Sequence, residues 1–166
     1  AHHVLNRDDK LLLHSYGCQN VYVIPYGVNT LLFKPKNNRR IRDIFRVLFV
    51  GRLTKQKGVD ILCEAINILA HENRLFENME FLIVGSGELA NMIKRFSSRY
   101  DNVKYLGYIR HELLCDVYNS CHILVMPSRF EGLGVVALES QACGVPVIAS
   151  NIPGPRDIII DGLTGK

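Results

Sequence analysis

Short apolar runs, each ending near glycine or proline and each followed by a helical pattern, constrain this chain more than any other feature. The runs are Val21–Ile24, Val47–Gly51, Phe81–Gly85, Val103–Gly107, Ile123–Pro127 and Val145–Ser150. They are rich in β-branched residues and alternate little between apolar and polar, as strands buried on both faces do, which implies parallel pairing. Between them, apolar residues recur at steps of three and four. Val59, Leu62, Cys63, Ile66, Leu69 and Ala70 line one helix face; Leu89, Met92, Ile93 and Phe96 a second; Leu114, Val117, Tyr118 and Cys121 a third; a fourth helix is predicted over about Gly134–Ala142. Strand and helix repeated at this length predict right-handed crossovers and an α/β fold, a Rossmann-like doubly wound parallel sheet.

A chain of 166 residues, 48% hydrophobic and 22% charged, fits one globular domain with its own core. Its longest apolar runs, such as Ile123-Leu124-Val125-Met126, fall far short of the ~20 residues a membrane span needs. No basic stretch, apolar core and cleavage site open the sequence, so the expected location is cytoplasmic. The net charge of +4 admits an anionic ligand but is too mild and scattered for wrapping nucleic acid. One charge run, Lys34–Arg42, reads as a solvated loop, with peripheral contact to a lipid surface as the alternative. The five cysteines, odd in number and mostly among apolar neighbours, read as reduced core residues. Cys115 and Cys121 with His111 and His122 match no zinc spacing, and no metal is expected. The chain opens in polar sequence without a clear first strand and stops at the turn signal Asp161–Lys166. It reads as a domain excised from a longer protein, with residues 1–20 leading into a domain at 21–166.

Ligands of doubly wound sheets sit at the carboxyl ends of the strands, so the loops that follow the strands are the places to look for chemistry. After Val47–Val50 comes Gly51-Arg52-Leu53-Thr54-Lys55-Gln56-Lys57-Gly58, which puts Arg52 at the strand end and Lys57 before a helix. Two such cations suit a diphosphate; the alternative is ordinary surface charge. After Phe81–Val84, Gly85-Ser86-Gly87-Glu88-Leu89-Ala90 matches the outline of a dinucleotide fingerprint. The next strand, however, ends Tyr105-Leu106-Gly107-Tyr108, without the acid that would hold a ribose, so these glycines read as a tight turn facing a ligand. After Ile123–Met126, Pro127-Ser128-Arg129-Phe130-Glu131-Gly132-Leu133-Gly134 runs into a helix that carries Glu139. A glycine-rich helix start offers free N–H groups and the positive dipole end to an anion. A carboxylate inside Val135-Val136-Ala137-Leu138-Glu139 needs hydrogen-bond partners, and a ribose diol is one. The competing reading has Glu131 capping the helix and Glu139 facing water.

Glu131 and Glu139, with Gly132-Leu133-Gly134 between them, resemble the E-x7-E signature of the retaining glycosyltransferases of family 4, the "glycosyl transferases group 1" set with the GT-B fold. Other segments resemble that family in the same order: Pro25-Tyr26-Gly27-Val28-Asn29, Gly51-Arg52-Leu53 with Lys57-Gly58, Val84-Gly85-Ser86-Gly87, Leu106-Gly107-Tyr108, Pro127-Ser128 and Ala142–Ser150. The resemblance implies the C-terminal donor-binding half of a GT-B enzyme, with the acceptor domain and the final helices absent. It implies that Arg52 and Lys57 hold the donor diphosphate, that Glu131 contacts the donor sugar, and that Glu139 binds the ribose. It also implies that the Gly132, Leu133, Gly134 and Val135 amides meet sugar and phosphate, and that the backbone at Tyr108 and Ile109 meets the base, with Gly51, Gly85 and Gly87 shaping the pocket. The donor would be a UDP-, GDP- or ADP-sugar, bound without metal or other cofactor, and the acceptor a glycan or a lipid-linked sugar. Tyr26, Asn29, Leu133 and Pro153-Gly154-Pro155-Arg156-Asp157 depart from the family pattern and bear on sugar preference. Two rival functions are an NAD-dependent oxidoreductase, resting on Gly85-Ser86-Gly87, and a noncatalytic sugar-nucleotide-binding module.

Overall fold

A five-stranded parallel sheet forms the centre of the computed structural model, which describes residues 1–36, 44–72 and 74–166. The greater part of the charge run Lys34–Arg42, and with it the lipid-contact reading, lies outside the described residues. The strands are β3 (Phe45–Val50), β4 (Met79–Val84), β5 (Val103–Gly107), β6 (Ile123–Met126) and β7 (Val147–Ala149), in the order β5-β4-β3-β6-β7. They are joined by α2 (Val59–Glu72), α3 (Ala90–Ser97), α4 (Leu114–Asn119) and α5 (Val135–Ala142), and α6 (Pro155–Ile158) follows β7. This is the doubly wound sheet that the apolar runs predict.

Strand residues alternate between two cores because successive side chains leave a strand on opposite faces. Val47, Phe49, Phe81 and Ile83 pack with Val59, Leu62 and Ile66 of α2 and with Ile93 and Phe96 of α3. Leu48, Leu82, Val84 and Leu124 pack on the other face with Leu114 and Tyr118 of α4 and Ala137 of α5. After β3 the chain therefore turns to one face, and after β6 to the other. Between the carboxyl ends of these two neighbouring strands the sheet opens a crevice, the place where a ligand enters a fold of this kind.

Three stretches differ from the sequence expectation. The run Val21–Ile24 forms β2 (Val21–Val23), which pairs not with the central sheet but with β1 (His2–Val4) in a separate two-stranded parallel sheet. The opening segment is accordingly structured, with α1 (Arg7–Ser15) between those strands. A three-residue strand carries too little periodicity to be seen, but α1 does have a start signal: the Asn6 side chain accepts from the Asp9 N–H at 2.8 Å, and Asp8 and Asp9 occupy the first turn. The last strand is shorter than Val145–Ser150 because its beginning closes the preceding helix. The Val145 N–H bonds the Ser140 carbonyl and the Gly144 N–H bonds Gln141, with Gly144 at φ +71°, which is a Schellman C-cap.

Candidate functional site

Lys57 reaches the crevice because two loops approach more closely than a side chain would allow. Gly58 stands at φ +69°, and a Cβ built on it would lie 1.8 Å from the Pro127 carbonyl oxygen. Glycine alone lets the turn Lys55–Lys57 press against the loop after β6. Arg129 then fastens the pair. Its guanidinium donates to both Asp60 carboxylate oxygens at 2.7 and 2.9 Å and to the Lys55 carbonyl at 2.6 Å, while its N–H donates to Gln56 at 2.8 Å. The Arg129 hydrogen bonds hold the Asp60 carboxyl below its ordinary value, against the opposing effect of burial. The result is an ion pair between Lys57 Nζ and Glu131 Oε2, both side chains less than one-fifth exposed.

That pair lines a cavity of about 180 Å³ between the ends of β3 and β6, walled by Phe49, Gly51, Met126, Ser128 and Gly134. Gly134, at φ +90°, is the N-cap of α5, and no side chain among the described residues caps that helix. Glu131 is thus no helix cap; it faces Lys57, and the free amides of the first turn of α5 are left for another acceptor.

A second cavity of about 240 Å³ shares Val50 and Gly51 with the first and is lined by Arg52, Gly85, Tyr108, Ile109 and His111. Arg52 is exposed there, with no side-chain partner among the described residues. The glycine turn after β4 is fitted to the Arg52 loop. A Cβ on Gly85 would sit 1.8 Å from the Gly51 carbonyl oxygen and one on Gly87 2.6 Å from that of Leu53, while Leu53 N–H bonds Ser86 and Leu89 N–H bonds Leu53. These glycines serve a loop-to-loop contact, which explains them without a dinucleotide.

Glu139 is only 3% exposed, so it does not face water. The Tyr118 hydroxyl donates to its Oε2 at 2.8 Å, and His111 Nε2 lies 2.7 Å from its Oε1. Burial, and secondarily the Glu139 charge, push the Tyr118 phenol well above its ordinary value. His111 is the link between this carboxylate and the second cavity, and its ring packs edge-on against Phe33 at 5.0 Å.

The sequence-selected residues therefore divide in two. Lys57, Glu131, Gly134 and Val135 meet in the first cavity, Arg52, Gly85, Tyr108 and Ile109 in the second, and Gly51 borders both. Gly87, Gly132, Leu133 and Glu139 line neither: Leu133 is buried at 2%, the Gly132 carbonyl accepts from Asn6 Nδ2 at 2.8 Å, and Glu139 lies behind His111. Arg52 and Lys57, expected to converge as two free cations, are not equivalent, because Lys57 is already paired. Sequence reasoning missed Asn6, His111, Tyr118 and Arg129. His111 was weighed only as a metal ligand with Cys115, Cys121 and His122; instead it meets Glu139, Cys115 Sγ lies 4.0 Å from Cys143 Sγ, and His122 Nδ1 accepts from the Arg46 N–H. Burial, with Cys115 next, pushes the Cys143 thiol up to about 12, so it is a core group rather than a reactive one. Among the described residues no group of three or more His, Cys, Asp or Glu is placed to hold a metal ion, and no helix is long and apolar enough to cross a membrane.

Comparison with known proteins bears on the family and the fold. The family model described as "Glycosyl transferases group 1" matches residues 23–166. An uncharacterized glycosyltransferase of Methanocaldococcus jannaschii is 38% identical over 120 residues, covering 71% of this chain and 32% of the relative. A D-inositol 3-phosphate glycosyltransferase of Paenarthrobacter aurescens is 34% identical, covering 95% of this chain and 41% of the relative. The chain thus spans about a third to two-fifths of these relatives. Among solved structures, sucrose-phosphate synthase from Thermosynechococcus elongatus superposes with a TM-score of 0.81 at 28% identity, over 98% of this chain and 43% of that one. Staphylococcus aureus TarM shares the fold, with a TM-score of 0.85 at 23% identity over 98% of this chain and 32% of its own. The fold is the Rossmann-like half of a GT-B architecture, and the chain belongs to the group 1 glycosyl transferases.

Proposed function

We propose that this chain binds the donor in a retaining glycosyltransferase that moves a sugar from a nucleotide-sugar to an acceptor hydroxyl. The observation that carries the reading is the convergence of Lys57, Glu131 and the open N-terminus of α5 in one cavity, with Arg52 in the adjoining one and Glu139 behind it. In this reading the base lies against the backbone of Tyr108 and Ile109, and the ribose reaches Glu139 past His111. The diphosphate crosses at Gly51 between Arg52 and Lys57, and the sugar sits by Glu131. Bond cleavage leaves negative charge on the diphosphate, which Arg52, the α5 amides and Lys57, on exchanging Glu131 for a phosphate oxygen, would receive. The same groups do the neutralising without a metal ion. The acceptor, a glycan or a lipid-linked sugar, would be held against a further domain such as the matched relatives have room for outside the shared region. A cytoplasmic location, with peripheral contact to a membrane as an option, belongs to the same proposal.

An oxidoreductase reading loses its main support, since Gly85 and Gly87 are accounted for by their contact with Gly51 and Leu53. Calorimetry of this chain with UDP, GDP and ADP and with their sugar conjugates, with and without a chelator, tests the proposal. One nucleotide series is expected to bind equally well in both conditions, and NADH not to bind. Glu139→Gln weakens the charged acceptor for the ribose, a bond worth ~1.5–3 kcal/mol, so affinity should fall roughly tenfold to a hundredfold. Unchanged affinity in that variant, or binding abolished by the chelator, would defeat the reading.

A further inference from the structure

One residue that lines the first cavity carries a polar atom without a partner among the described residues. Ser128 is 2% exposed, and its Oγ is buried with no hydrogen-bond partner among the described residues. A buried unpaired hydroxyl is unfavourable, and such an atom in a folded protein calls for a partner that is missing from the free state. Ser128 lines the same cavity as Lys57, Glu131 and Gly134. We propose that Ser128 is a sugar-binding residue: its hydroxyl completes its hydrogen bonding only when a hydroxyl of the donor sugar enters the cavity beside Glu131. This inference rests on the nucleotide-sugar reading above.

The chemistry of the cavity favours a sugar hydroxyl over a phosphate oxygen. Glu131 is a carboxylate, which accepts hydrogen bonds from hydroxyls and repels phosphate. Ser128 both donates and accepts, so next to that carboxylate it matches the alternating donors and acceptors of a polyol. Arg52, a cation with no side-chain partner among the described residues, lies on the far side of Gly51 in the second cavity, where the diphosphate has a better electrostatic partner. Thr54 supplies an internal comparison, for its Oγ1 is also buried and without a partner, yet it lines neither cavity.

The test pairs affinity with thermal stability for Ser128→Ala and Thr54→Val in the 166-residue chain. The probes are UDP-glucose, GDP-mannose and ADP-glucose with their parent diphosphates, taking whichever conjugate the unsubstituted chain binds. Ser128→Ala should weaken the conjugate about tenfold and the diphosphate less than twofold, with a Tm equal to or above that of the parent. Thr54→Val should leave both affinities unchanged. Equal weakening of diphosphate and conjugate by Ser128→Ala would place the hydroxyl on phosphate and overturn the sugar assignment, and unchanged conjugate affinity would overturn it outright. A drop in Tm would show the hydroxyl already satisfied, by water, in the free protein. The same loss of affinity in Thr54→Val would trace the effect to loop packing. In all of these outcomes the nucleotide-sugar reading itself survives, whereas failure of every conjugate and diphosphate to bind the unsubstituted chain would overturn both.

Discussion

Replacing Tyr118 by phenylalanine removes one oxygen and leaves the packing of the ring against Phe33, at 5.9 Å between centroids, available to the new side chain. What is lost is the 2.8 Å hydrogen bond to Glu139 Oε2, whose residue is only 3% exposed. A hydrogen bond to a charged group contributes ~1.5–3 kcal/mol, and the orphaned oxygen belongs to a side chain almost shut off from solvent. A loss of about 2 kcal/mol lowers Tm by roughly 4–8 °C for a domain of this size. Because the loss arises from a buried charge left short of a partner, it should shrink when the charge is absent. In a double-mutant cycle, Tyr118→Phe in the Glu139→Gln background should cost less than it does in the parent, by about 1 kcal/mol. Alkaline pH probes the same hydroxyl, whose ionisation is opposed first by burial and then by the Glu139 charge. The folded phenol ionises well above its unfolded value of about 10, so its stabilisation is complete below that pH and is lost as pH rises toward the folded value. The stability gap between parent and variant should therefore narrow above pH 10, and of the seven tyrosines the last to ionise in an ultraviolet titration should vanish in the variant. Denaturant unfolding of the four proteins of the cycle measures these quantities. A Tm within about 1 °C of the parent, or strictly additive losses, would refute the account of Glu139 as a carboxylate held by Tyr118.

Two further perturbations probe the loops that deliver Lys57. Gly58→Ala meets both the αL backbone, a cost of ~1–3 kcal/mol, and the Pro127 carbonyl 1.8 Å away, so its Tm should fall well below that of Gly17→Ala, where φ is +84° and nothing lies within 4 Å; equal losses would mean the two loops part without cost. Arg129→Ala removes an ion pair whose side chains are 48% and 30% exposed, a setting in which water screens most of the attraction, so stability at neutral pH should change little. Since Arg129 lowers the folded Asp60 value below the ordinary 3.8, that small stabilisation should be present above pH 4 and disappear as pH falls through the folded value, which urea titrations at pH 7 and pH 3 would compare.

The buried strands of the central sheet were legible because they are continuous apolar runs, and α2 because its face repeats over Val59–Glu72. The pairing of β2 was not, since Val21-Tyr22-Val23 looks like any other short strand and only tertiary contact decides which neighbour it takes. At the site, glycines and charges were visible as residue types, and the strand ends at Val50 and Met126 placed them near one another. Their pairing was hidden. Whether Lys57 stands free or meets Glu131 depends on the approach of Gly58 to Pro127, a distance between loops that no local pattern encodes. Tyr118 and His111 escaped notice for a related reason. Tyr118 falls on the apolar face of α4, where a tyrosine reads as core, and its hydroxyl acquires meaning only once Glu139 of α5 lies against it.

The Lys57–Glu131 pair has a consequence for how the cavity selects its occupant. Both side chains are less than one-fifth exposed, so parting them leaves each charge short of a partner in a setting that water only partly reaches. A ligand that offers only an anion can satisfy Lys57 while stranding Glu131. A neutral polyol does the reverse. A molecule carrying an anionic group next to a ring of hydroxyls can replace both partners at once, each charge exchanging one hydrogen-bonded neighbour for another. The free-state pair would thereby keep the two side chains in position when the cavity is empty and favour an occupant with both features over either alone. That preference arises from the pairing of the two charges and not from a contact unique to one ligand.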